Sequence, residues 1–89
     1  MYAREVELQN ASGLHVRPAQ LLIETAGRFT SRITVKTASG HQADARSILG
    51  VMALGLSKGD KITIEAEGDD EQAAVEALVQ LIESKFGEE

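Results

Sequence analysis

Four short stretches alternate apolar and polar residues with a period of two, and three longer ones repeat apolar residues at helical spacing; their interleaving restricts the fold more than anything else in this chain. Ala3 to Leu8 sets Val6 and Leu8 against Glu5 and Glu7. Arg32 to Thr37 sets Ile33 and Val35 against Arg32, Thr34 and Lys36, and Lys61 to Glu67 sets Ile62 and Ile64 against Thr63 and Glu65. These are half-buried strands, and the turn residues Ala38-Ser39-Gly40 fold His41 to Ala45 back as a fourth, at an edge. Val16 to Gly27 carries Ala19, Leu22, Ile23 and Ala26 on one helical face, with Gly27 as its stop. Ser47 to Leu54 is a short helix opened by an N-cap serine. Asp70 to Lys85 carries Val75, Leu78, Val79, Ile82 and Phe86 as a buried stripe, with Asp69 and Gln72 in capping-box spacing. The order βαββαβα predicts an α+β fold in which a four-stranded, mostly antiparallel sheet is covered on one face by helices.

Eighty-nine residues make one domain, 1–89, with one thin core. Aromatic residues are 3% of the chain, which argues against a large pocket around a cofactor, and no cofactor is expected. The absence of cysteine excludes a disulfide framework, a thiolate nucleophile and a cysteine metal cage. No apolar run approaches the roughly 18 residues of a membrane span, and the N-terminus lacks a signal-peptide core, so a cytoplasmic location without membrane insertion is expected. The net charge is −5. Its distribution is uneven: residues 1–59 hold seven basic and four acidic residues, whereas 60–89 hold two basic and ten acidic. A mildly basic first part can steer toward an acidic partner. It lacks the dense basic stripe and stacking aromatics of a nucleic-acid binder.

Ser12-Gly13-Leu14-His15-Val16-Arg17-Pro18-Ala19 carries the chemistry. A glycine loop opens into a helix, and Pro18 falls in the first turn, where a missing N–H is no loss. His15 is then at or beside the N-cap, where outward N–H groups and the positive helix end would hold an anion near the imidazole. A phosphoryl group on a ring nitrogen is such an anion. Arg17 can pair with its oxygens, Val16 supplies a first-turn N–H, and Ser12 can donate a hydroxyl. The same positive surroundings favour a neutral, nucleophilic ring. A histidine at a helix start is, by itself, more often a partial cap or a surface residue. No metal site competes, since the only other histidine is His41. A hydrolase elbow motif is also absent.

Gly13 to Ala19 resembles the active-site signature of the HPr family, and Arg46-Ser47-Ile48-Leu49-Gly50-Val51-Met52-Ala53-Leu54-Gly55 resembles that family's second signature, around its regulatory serine. Both stand at near-family spacing. The resemblance implies an open-faced β-sandwich in which three helices cover one face of a four-stranded antiparallel sheet. It also implies a phosphocarrier, not an enzyme, of the bacterial sugar phosphotransferase system. By position, His15 is then the phosphohistidine, Arg17 its phosphate partner and Ser47 the regulatory serine. Implied partners are enzyme I, the IIA components of sugar permeases, a serine kinase/phosphorylase and a transcriptional regulator. Departures are slight: Arg46 replaces a common lysine, Gln20 replaces a smaller residue, and the hairpin is one residue longer.

Ser47 before Ile48-Leu49-Gly50-Val51 is first of all an N-cap, a role compatible with phosphorylation. A short helix buries one stripe, so if Val51 and Leu54 face the core, then Ile48, Leu49 and Met52 form an exposed apolar patch suited to partner docking. Gln20, Leu21 and Glu24 of the first helix extend it. A carrier that docks several partners through one face is best read as a monomer. The alternatives are a regulatory paralogue, serving a nitrogen branch or acting as a transcriptional co-regulator through protein binding, and a ligand-binding sandwich without phosphoryl chemistry.

Overall fold

In the computed structural model, which describes residues 1–11 and 13–87, the elements follow the order β1 (Tyr2–Glu7), α1 (Val16–Ala26), β2 (Arg32–Thr37), β3 (Gln42–Asp44), α2 (Ile48–Ala53), β4 (Lys61–Glu67) and α3 (Glu71–Glu83), closed by a 3₁₀ turn at Lys85–Gly87. All strand pairs are antiparallel, in the spatial order β1-β4-β2-β3. The fourth strand in sequence therefore lies between the first two. β1 and β2 run parallel to each other with β4 between them, and α1 is the crossover that spans the gap.

Register explains why only one face is covered. Val6 pairs with Ile62, and Val35 with Ile64, so the apolar residues of all three long strands point the same way. Ile33, Val35 and Ile64 are fully buried there, under Ala19, Leu22 and Ala26 of α1, Val51 of α2 and Val75, Leu78, Val79 and Ile82 of α3. Each buried Leu or Ile contributes roughly 1.5–3 kcal/mol, enough to hold the helices on this face. The opposite face carries Glu5, Glu7, Arg32, Lys36, Glu65 and Glu67, with Lys36 Nζ 3.0 Å from Glu65 Oε2, and offers no apolar stripe to a second helix layer.

Tyr2 and Arg4 share the helix-covered face with Val6, and both reach α3. The Tyr2 hydroxyl donates to Glu76 Oε2 at 2.6 Å, and Arg4 Nη1 pairs with Glu76 Oε1 at 2.7 Å. Hydrogen bonding to Tyr2 holds the Glu76 carboxyl below its ordinary range and raises the Tyr2 phenol.

β2 and β4 have the bounds expected from sequence, whereas β1 is shifted by one residue, β3 is shorter than His41–Ala45, and each helix starts or stops a residue or two inside its expected span. One local expectation fails. The Asp69/Gln72 capping box does not form: Asp70 is the N-cap of α3, and its carboxylate serves another segment. It accepts the N–H groups of Thr30 and Ser31, each at 2.9 Å, and the Ser31 hydroxyl. Led by the Ser31 hydroxyl, these donors bring the Asp70 carboxyl down to about 2. Gly68 is required beside this knot, because at φ +149° a Cβ there would lie 2.6 Å from Ser31 Oγ. The Gly68 N–H is taken by Glu71 Oε1 at 3.1 Å, which ties the turn before α3 to the first residue of the helix.

Candidate functional site

The loop between β1 and α1 is anchored at both ends. Leu8 exchanges backbone bonds with the β4 approach, its N–H to Asp60 O at 2.9 Å and its carbonyl from Gly59 N at 2.8 Å. The Leu14 N–H donates to Leu56 O at 3.1 Å. Gly13, at φ +68°, passes so close to this segment that a Cβ would lie 2.6 Å from Leu56 O and 2.9 Å from Ser57 Cα. Only glycine combines that conformation with that approach.

His15 follows as the N-cap of α1. Its backbone is extended, at φ −90° and ψ −166°, while its carbonyl accepts the first helical bond, from Ala19 N at 3.0 Å. The imidazole is half-buried and makes no cap bond to the first turn. Pro18 is buried and has no N–H, so the first-turn donors that project beyond the helix start are those of Val16 and Arg17. Both side chains are exposed, Val16 at 53%, and among the described residues the Arg17 guanidinium forms no ion pair. The arrangement gathers a ring nitrogen, two outward backbone donors and a guanidinium within one turn of a helix, a combination suited to an anion bonded to the ring. Ser12, expected to lend a hydroxyl, lies outside the described residues.

Beyond its first turn, α1 buries Pro18, Ala19, Leu22 and Ala26 and turns Gln20 and Glu24 to solvent, with Leu21 and Ile23 half-buried. α2 packs beside it. Val51 is the fully buried residue of α2, Leu49 is 80% exposed, and Ile48 and Met52 are half-buried, so the expected apolar patch exists and is centred on Leu49. Leu54 departs from expectation: it is half-buried, because α2 ends at Ala53 and the chain there turns toward Gly55, while Leu56 takes the buried position.

Ser47 is the N-cap of α2, its hydroxyl accepting from Gly50 N at 3.1 Å. The two helices are opposed in direction. The C-terminal side of α2 meets the histidine loop through Leu56 and Leu14, whereas Arg46, beside Ser47, donates to Phe29 O beyond the far end of α1. Ser47 thus lies toward the C-terminal end of α1, whereas His15 stands at its start.

Among the described residues no three His, Cys, Asp or Glu side chains converge to hold a metal, and no helix is long and apolar enough to cross a membrane. His41 lies at the β2–β3 hairpin, with Nδ1 3.0 Å from Ser39 Oγ. Sequence reasoning overlooked Asn10, 1% exposed, whose side-chain amide donates to Gly13 O. A polar residue in a run of Gln, Asn, Ala, Ser and Gly reads as plain loop.

Solved structures place this sheet and its three helices in a class of small α+β phosphocarriers. HPr-C-His of Thermoanaerobacter tengcongensis is 49% identical, with a TM-score of 0.94 covering 100% of this chain and 99% of that one; an HPr dimer from the same organism aligns with a TM-score of 0.78 over 99% and 100%. The chain belongs to the PTS-HPr family, described as the PTS HPr component phosphorylation site, which matches residues 2–84. Phosphocarrier protein HPr of Cupriavidus necator is 42% identical over 99% of this chain and 98% of its own length. The HPr-like protein Crh of Halalkalibacterium halodurans is also 42% identical, over 96% of this chain and 100% of its own length.

Proposed function

We propose that this chain accepts a phosphoryl group on His15 from enzyme I and passes it to IIA components of sugar permeases. The observation that carries the reading is the position of His15: it caps α1 on a doubly anchored loop, beside the outward N–H groups of Val16 and Arg17 and the Arg17 guanidinium. A lone pair of the ring attacks phosphorus as the donor's bond to phosphorus breaks, and the reverse step hands the group on. The oxygens gain negative charge next to fixed positive ends, so the backbone donors and Arg17 favour the phosphorylated state without reorganising. Ser12 adds a hydroxyl from the loop. Leu49, with Ile48, Met52, Gln20, Leu21 and Glu24, forms the docking face, and the basic residues Arg17, Arg28 and Arg46 steer it toward acidic partners.

Phosphorylation of Ser47 by a serine kinase regulates that docking. At the far end of the helix pair the phosphate does not touch His15; it acts through the footprint of a partner that spans both ends, adding about two negative charges there. The chain works as one domain, in the cytoplasm and as a monomer, which sedimentation of the purified protein checks against the dimeric state of its solved relative. Incubation with enzyme I and phosphoenolpyruvate should give one acid-labile, base-stable phosphate per chain, absent from His15→Ala. A label of equal yield on His15→Ala would sink the assignment.

Similarity to the HPr-like protein Crh favours a second reading, regulation by protein binding through Ser47. In that case Ser47→Asp would bind a transcriptional regulator and His15→Ala would leave every measured activity unchanged.

A further inference from the structure

We infer that Asn10 is a positioning residue for the phosphoryl-accepting histidine, an inference that rests on the reading of His15 given above. Asn10 follows β1 and is 1% exposed, the most buried polar residue at this end of the molecule. Packing does not call for an amide there, since an apolar side chain would fill the space without the cost of desolvation. What the amide adds is direction. Its Nδ2 donates to Gly13 O, and the Gly13 N–H donates back to Asn10 O at 3.1 Å.

The peptide group between Gly13 and Leu14 is therefore gripped on both sides. Its carbonyl is held by Asn10, from the β1 side, and its N–H by Leu56 O at 3.1 Å, from the turn before β4. That turn is itself fixed, because Asp60 Oδ2 accepts the Ser57 N–H at 2.8 Å and the Asp60 N–H donates to Ser57 O at 3.0 Å. The grip matters because of Gly13. Glycine is needed for the close approach to Leu56 and Ser57, yet it is also the residue at which a peptide plane flips most easily. Asn10 removes the freedom that Gly13 introduces, two residues before the chain sets the extended backbone of His15 at the start of α1.

Without the amide, His15 and the docking face survive, but the ring samples orientations that do not face the incoming phosphorus. In transfer from phosphorylated enzyme I, Asn10→Ala and Asn10→Asp should lower kcat roughly tenfold or more and leave KM within about a factor of two. Ile82→Val, a core substitution in α3 of comparable destabilisation, should leave both unchanged. A kcat within twofold of the parent chain in folded Asn10 variants would overturn the inference while leaving the His15 assignment standing. Phosphorylation of His15→Ala would instead overturn the assignment and the inference with it. Should neither variant fold, the parent chain decides by NMR: the Asn10 side-chain amide protons should exchange slowly with solvent and shift when His15 is phosphorylated. Fast exchange with no shift would overturn the inference.

Discussion

The starts of α1 and α2 lie in one helix pair and use opposite chemistry. At α2, Ser47 turns its hydroxyl inward to the helix, onto Gly50 N at 3.1 Å, and so satisfies one N–H of the first turn. At α1 the capping residue is a histidine whose ring makes no such bond, and the turn that follows presents Val16 and Arg17 outward. A serine cap stabilises a helix by about 1 kcal/mol, which α1 forgoes. The structure compensates by holding the α1 entry through bonds outside the helix, with Leu14 and Leu8 fastened to residues 56–60 and Gly13 to Asn10. A helix start can serve its own stability or a ligand, and on the function proposed for His15 the two tasks are divided between neighbours.

The strongest way to break that contrast is to exchange the losses. His15→Ala should abolish phosphoryl acceptance while shifting the melting temperature by no more than a few degrees; unfolding at room temperature would show that His15 is structural after all. Next in size is the division of α2 into faces. Val51→Asp should destabilise by about 3–5 kcal/mol, as expected for a charge forced into a full core, and Leu49→Asp by under about 0.5 kcal/mol while weakening binding to enzyme I. Equal melting temperatures for the two would remove the exposed patch from the account.

Arg17→Ala should slow transfer roughly tenfold to a hundredfold at unchanged stability, an exposed donor being worth less than the roughly hundredfold or more of one enclosed in a dry site. Stopped-flow rates indistinguishable from the parent chain would deny Arg17 its role. Ser47→Ala sharpens the contrast from the other side: it should cost about 1 kcal/mol in urea unfolding and leave acceptance at His15 intact.

The smallest effect belongs to the third helix start. Asp70 has a folded-state pKa of about 2, below its ordinary 3.8, because Ser31 and Thr30 donate to it. A depressed carboxyl contributes stability that is complete above its unfolded value and is lost as pH falls, here between about 4 and 2. Asp70→Asn should flatten the acid limb of the stability profile in that window without levelling it, since Glu71 and Glu76 are lowered too. An unchanged acid limb would argue that the Ser31 and Thr30 bonds contribute nothing in solution.

Legibility in the sequence followed locality. The bounds of β2 and β4 could be read off because alternation is written within each strand. The Ser47 cap and the His15 position were legible for the same reason, each depending on a few adjacent residues. Asp70 was misread because its partners, Thr30 and Ser31, are some forty residues away, and a distant partner outbid the local capping template. Asn10 was invisible for a related cause: the loop in which its amide meets Gly13 is held by residues 56–60, through Leu8 and Leu14, and nothing near position 10 announces them.

The place of β4 in the middle of the sheet has a consequence for how the molecule comes into being. During synthesis from the N-terminus, β1 emerges with no neighbour, and β2 can find only β3, because the strand that joins them is not made until residue 67. The ledge beneath the histidine loop, Leu56 to Asp60, is equally late. A nascent chain that already contains His15 therefore cannot yet anchor the loop that holds it, and on the proposed function acceptor competence arrives with closure of the whole sheet. In the relay proposed for the whole chain, half-made copies then stay silent.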